Sequence, residues 1–242
     1  MTYWPLSRSP RYSILFAAPL LLAYEGLALL LDGGSAAGVR NGADVLLKSL
    51  FLSLGGAQGL LLFDLILVAV GLVLIWRDRT TPGPLRPGIF VGMLGESVGL
   101  ALLFGAVAGL LTALLLQGPA TLAAGGLAQF GLGTQVMLSL GAGIYEELLF
   151  RVILVGGLAW GARRLFGWLP GASNALAVGL GALIFSAFHY IGPYGDAWEL
   201  QSFTFRLVAG LLFSGLFVLR GFGITAWTHA LYDVFLLLVG KG

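Results

Sequence analysis

Ala57-Gln58-Gly59-Leu60-Leu61-Leu62-Phe63-Asp64-Leu65-Ile66-Leu67-Val68-Ala69-Val70-Gly71-Leu72-Val73-Leu74-Ile75-Trp76 carries a single charged residue, Asp64. A helix that crosses the hydrocarbon core of a bilayer needs roughly 20 mostly apolar residues, and this run has that length. Six further segments read the same way: 12–31, 88–116, 134–158, 173–191, 203–219 and 222–239. Composition agrees, because 58% of the 242 residues are hydrophobic and only 10% are charged, against about 25% charged in a soluble domain. A water-soluble fold of this length could not hide so much apolar surface, so lipid must cover it. The expected fold class is all-α, a polytopic transmembrane helical bundle of about seven spans. Residues 1–242 form a single integral membrane domain with no internal repeat. Asn41 to Leu54 is shorter and amphipathic and reads as an interfacial helix. The last two segments, separated by Arg220 and Gly221, form a tight helical hairpin or one broken helix. Gly105 and Gly109 make a small-xxx-small pair that lets helices approach closely.

Flanking charges set an orientation. Arg8 and Arg11 precede the first span, Arg77, Arg79 and Arg86 follow the second, Arg163 and Arg164 follow the fourth, and Arg220 follows the sixth. With seven alternating spans all of these fall on one side, and the Gln117–Gly133 loop on the other side has no basic residue. The positive-inside rule then makes the N-terminus cytoplasmic. A rival reading takes the first segment as a cleaved signal with Ser35-Ala36-Ala37 as its small-residue site; the length of the apolar run and its interruption by Glu25 argue against it. With no cysteine in the chain, disulfide and thiolate chemistry are excluded. No charge run or nucleic-acid signature is present.

Charged groups inside apolar spans are costly and usually mark function. Here they are Glu25, Asp64, Glu96, Glu146, Glu147, Arg151 and Asp233, and both histidines, His189 and His229, lie in apolar spans as well. They form three clusters: Glu146-Glu147-Leu148-Leu149-Phe150-Arg151, Phe185-Ser186-Ala187-Phe188-His189, and His229-Ala230-Leu231-Tyr232-Asp233. Helix geometry separates the two glutamates. Glu147 lies four residues before Arg151, on one face and in the favourable acid-then-base order. Glu146 is rotated by about 100° from it and is left for another task. A carboxyl without a cation of its own in an apolar place suits general acid or base work. His229 and Asp233 are again four apart, so the carboxylate can accept from one ring nitrogen and present the other to a site. Glu25, Asp64 and Glu96 show no partner in sequence and receive no role; Phe150 and Phe185 read as packing.

These groups suffice for hydrolysis. Glutamate and histidine can hold and deprotonate a water, and a second histidine can donate to the oxyanion of a tetrahedral intermediate. No serine or threonine is paired with a base, so water is the expected attacker.

Glu-Glu-x-x-x-Arg, Phe-x-x-x-His and His-x-x-x-Asn/Asp, in that order on three membrane helices, resemble the CPBP (Abi) intramembrane proteases. That family includes CAAX prenyl endopeptidases of the Ras-converting type and bacteriocin-processing or immunity proteins. The motif-bearing core spans about 134–239, and the motifs themselves run from Glu146 to Asp233. The resemblance implies a helical bundle with its catalytic groups in a cavity below the membrane surface. It also implies that Glu146 and His189 activate water, that His229 and Asp233 line the oxyanion side, and that Glu147 and Arg151 support the fold. One position departs from the prenyl-endopeptidase branch, which carries asparagine where this chain has Asp233. An ionised Asp cannot donate a hydrogen bond, so Asp233 is expected to orient His229. The implied mechanism uses no metal and no other cofactor. One Glu and two His could instead bind zinc with an open position.

The expected function is therefore an intramembrane endopeptidase acting on a peptide or protein substrate, of which a lipidated one is a family option. Membrane lipid is the surrounding partner, and no nucleic acid is expected. A bacterial inner or plasma membrane fits the composition. The alternatives are a proton-coupled transporter using the same buried groups as a relay, and a non-catalytic membrane immunity or scaffold protein. A transporter of the common type would show an inverted repeat, and none is visible.

Overall fold

The computed structural model describes residues 2–32, 38–78, 83–117, 129–192 and 195–239. Ser35, Ala36, Ala37, Arg79 and most of the Gln117–Gly133 loop lie outside the described residues. Among the described residues every regular element is helical. They are α1 (Tyr3–Ser7), α2 (Pro10–Asp32), α3 (Gly42–Arg77), α4 (Pro87–Leu116), α5 (Leu132–Gly141), a π-helical segment (Ala142–Val155), α6 (Gly156–Phe166), α7 (Pro170–Phe188), α8 (Leu200–Arg220) and α9 (Phe222–Val239).

Six of these helices are each long and apolar enough to cross a membrane: α2, α3, α4, α7, α8 and α9. The expected fourth span is not among these six, although the chain there runs without a break through α5, the π segment and α6. It is not one α-helix, because its middle winds with wider turns, as shown by Gly156 N–H reaching back to the Arg151 carbonyl. The chain is thus an all-α polytopic integral membrane protein.

Local sequence explains the element ends. Asn41 caps α3 by accepting from Ala43 N–H at 2.9 Å. Within α3, Gly55 and Gly56 leave helical geometry, Gly56 at φ +57 and ψ −143, a conformation open in practice only to glycine. The kink divides an amphipathic stretch from the apolar one, at the boundary expected between the interfacial helix and the second span. Pro87 and Pro170 open α4 and α7, where a missing amide costs nothing. Gly221 at φ +79 separates α8 from α9. His229 stacks on Phe213 across that turn at 4.3 Å, so the two helices are a hairpin rather than one broken helix.

The bundle has two distinguishable ends. Arg220 donates to Ser7 at 2.7 Å, Arg8 to the Val218 carbonyl at 3.2 Å, and Arg11 to the Gly83 carbonyl at 2.9 Å. The N-terminus, the α3–α4 connection and the end of α8 therefore meet. Helices α7 and α8 run antiparallel, with Ser186 bonded to the Phe203 carbonyl and Gly210 against Ala182. This places Arg163 and Arg164 at the same arginine-rich end. The opposite end holds Arg40, Lys48 and Arg206, each paired with an acid. Helix α2 is an interior element, with Leu20, Tyr24 and Ala28 buried in the core.

The lack of native cysteine allows a direct test of orientation. In intact cells an impermeant thiol reagent is expected to label Ala197→Cys, in the exposed α7–α8 connection, and to spare Arg163→Cys. The reverse pattern would put the arginine-rich end outside.

Candidate active site

Two glycines set the geometry. A Cβ at Gly143 would lie 2.4 Å from the Ala226 carbonyl oxygen and 2.7 Å from Ala230 Cβ. Only glycine lets the π segment and α9 touch backbone to backbone there. A Cβ at Gly141 would lie 2.5 Å from the Tyr24 ring and 2.9 Å from Asn41 Cβ. The stretch that carries the two glutamates is thereby pressed against α9 on one side and against α2 and the start of α3 on the other.

Glu147 is fully buried, at 0% exposure, and Arg151 nearly so at 1%. They pair at 3.2 Å, as the spacing predicts. The same oxygen, Oε1, lies 2.7 Å from His229 Nδ1. The expected orienting of His229 by Asp233 is not what the structure shows. Asp233 Oδ2 stands 3.7 Å from Nε2, beyond hydrogen-bond length, while Glu147 takes the other ring nitrogen. The reason lies in the stacking on Phe213, within 23° of parallel. That pose turns Nδ1 across the helix gap toward the π segment and leaves Nε2 on the side of Asp233. The Arg151 guanidinium sits over the Phe185 ring at 4.3 Å and faces Phe213 at 5.4 Å. Cation–π contact thus stands in for the hydrogen bonds that its nitrogens otherwise lack.

Glu146 points elsewhere. Its Oε1 accepts from Asn41 Nδ2 at 2.9 Å. Its Oε2 is buried with no hydrogen-bond partner and faces His189 Nε2 at 3.9 Å. His189 caps the end of α7, and its Nδ1 lies 2.9 Å from the Phe185 carbonyl. A carbonyl only accepts, so Nδ1 carries the hydrogen, and Nε2 is free to accept from the space in front of Glu146. Exposure grades across the site: the side chains of His189 and Asp233 are 25% and 26% exposed, those of Glu146 and His229 9% and 6%. The floor is buried and the rim is more exposed. Phe150 packs edge-on against Phe185 and Phe188, as expected of packing residues.

The structure brings Glu146, Glu147, Arg151, His189, His229 and Asp233 together from the π segment, α7 and α9. Two acids that showed no partner in sequence do have partners. Glu25 accepts from Tyr145 at 2.6 Å, Lys48 at 2.8 Å and Arg40 at 2.9 Å. Glu96 accepts from Arg220 at 2.5 and 2.7 Å and from Tyr3 at 2.6 Å. Asp64 stays on an exposed face of α3. Asn41 is the site residue that sequence reading missed; its linear signal, an Asn before a helix, announces only a cap.

Among the described residues no three His, Asp, Glu or Cys side chains converge as a metal-ligand set.

The model of the Rce1-like family, type II CAAX prenyl endopeptidases, matches residues 128–235. No curated protein and no solved structure matches the chain. The matched stretch holds all three clusters and the helices that bring them together, and over that stretch the chain is similar to the Rce1-like type II CAAX prenyl endopeptidases.

Proposed function

We propose that the chain is an intramembrane endopeptidase in which Glu146 and His189 activate a water molecule. One observation carries the reading: the unpartnered Glu146 Oε2 facing His189 Nε2 at 3.9 Å. Two acceptors this far apart can each take one hydrogen of a single water, which points the water's lone pairs away toward a substrate carbonyl. Glu146 takes a proton as the new C–O bond forms and passes it to the departing amide nitrogen as the C–N bond breaks. His229, protonated on both nitrogens, gives its Nδ1–H to Glu147 and its Nε2–H to the oxyanion. Asp233, at 3.7 Å, supports that cation at the open rim. Glu147 and Arg151 hold His229 in place. The substrate is a peptide or protein, and the family match favours one that is lipidated near its cleavage site.

Glu146→Gln keeps size and can still bond Asn41, but it cannot take a proton. It is expected to fold normally and to lose at least about a hundredfold in cleavage, the scale of general-base catalysis, measured on peptides released from membrane protein substrates by purified protein in lipid. Unchanged cleavage would remove Glu146 from the mechanism. Cleavage is also expected to persist in EDTA and phenanthroline; loss restored by zinc would make the histidines ligands.

Glu147→Gln strands Arg151 in an apolar interior. Breaking a buried pair from one side costs about 3–5 kcal/mol, so folded yield and thermal stability in detergent should fall. A normally stable and inactive Glu147→Gln, beside an active Glu146→Gln, would exchange the two roles.

A further inference from the structure

Asn41 lies outside the family-matched residues 128–235 and 105 positions from Glu146. Resting on the proposed function, we propose that Asn41 is a positioning residue for Glu146: its amide fixes one carboxylate oxygen so that the other faces His189 and the reactive water.

The orientation of the amide is settled by its own bonds. Asn41 Oδ1 accepts from Ala43 N–H at 2.9 Å as the cap of α3. An amide nitrogen cannot accept there, so Nδ2 must be the atom that lies 2.9 Å from Glu146 Oε1. The side chain is therefore tied at both ends, and it is 7% exposed. The backbone is tied as well. Asn41 N–H donates to the Tyr24 hydroxyl at 3.2 Å, and that hydroxyl donates to buried Asp44 at 2.7 Å. Lys48 bridges Asp44 at 2.9 Å and Glu25 at 2.8 Å. Glu25 accepts from Tyr145, the neighbour of Glu146, at 2.6 Å. A closed ring of polar contacts thus runs from one side of Glu146 to the other. It gives a role to the ionic cluster beside the site, in which Asp44 is buried and Glu25, Arg40 and Lys48 are half-buried. Gly141 supplies the room, since a Cβ there would lie 2.9 Å from Asn41 Cβ.

A donor aimed at a carboxylate favours its ionised form, which is the form a general base needs. The other charged or titratable groups around Glu146 are His189 on α7, His229 and Asp233 on α9, and Glu147 and Arg151 on its own segment. None of these changes when Asn41 is replaced, so a shift in the pH–rate profile would report on Asn41 itself.

Two substitutions separate capping from positioning. Asp and Ser are both good helix caps, but neither presents an amide donor to Glu146. Asn41→Ser and Asn41→Asp should fold with near-normal yield. Both should lower kcat by about ten- to a hundredfold, the weight of a hydrogen bond to a charged group, with little change in KM. The acid limb of the profile should move to higher pH in Asn41→Ser. It should move further in Asn41→Asp, where two carboxyl groups would face each other and share a proton. An infrared band of the protonated Glu146 carboxyl, identified by its loss in Glu146→Gln, should persist to higher pH in Asn41→Asp, a readout that needs no substrate. With Glu146→Gln inactive, a wild-type profile and an unmoved band in both Asn41 variants would overturn the inference and leave the proposed function standing. An active Glu146→Gln would overturn both.

Discussion

One oxygen of Glu147, buried among apolar helices, meets the Arg151 guanidinium at 3.2 Å and His229 Nδ1 at 2.7 Å. At membrane depth a lone charge is costly, so this carboxylate, its cation and its histidine must be placed together or not at all. That requirement ties the π segment to α9. It is met because Gly143 lets the two backbones touch at Ala226 and Ala230. It also frees the adjacent glutamate. Consecutive residues on a helix face different ways, so with Glu147 committed inward, Glu146 is turned toward α7 and the start of α3. The wide turns of the π segment fall on these residues, and such turns are common at functional sites. A structural carboxylate and a chemically free one thus sit side by side in the chain, separated by their partners.

The same rule explains the rest of the polar interior. Each ionised group that enters the bundle away from the site meets an opposite charge: Glu25 with Lys48 and Arg40, Glu96 with Arg220, Asp196 with Arg206. Glu146 differs from these, for Asn41 holds one of its oxygens while the other is buried without a hydrogen-bond partner and faces His189. The proposed chemistry is placed at this incompletely satisfied acid, held on one side by Asn41 and facing the partly exposed His189. Asp233 and His189 are the more exposed side chains at its edge, and in the proposed mechanism substrate and water enter past them.

The spans were legible in the sequence because hydropathy over about twenty residues is a strong signal, and the Gly55–Gly56 break could be placed because the amphipathic run stops there. The Glu147–Arg151 pair was legible because it is local. The π segment was not, since its composition resembles that of any apolar helix and its cause lies in contacts across the bundle. The orienting of His229 was misjudged for a similar reason: the i,i+4 relation to Asp233 is real, but stacking on Phe213 decides which nitrogen faces which acid. Glu25 and Glu96 looked unpartnered because their cations come from other elements. Asn41 could be read as a cap from its neighbours, whereas its second bond spans 105 residues and leaves no trace in local pattern.

The central claim is that the 3.9 Å gap between Glu146 Oε2 and His189 Nε2 holds the water that attacks the substrate. An experimental structure in lipid, at a resolution that shows ordered solvent, measures this without knowledge of the substrate. The account predicts one water within hydrogen-bond distance of both atoms, with Asn41 still on Oε1. A metal ion in that gap, or a direct Glu146–His189 hydrogen bond that closes it, would contradict the account.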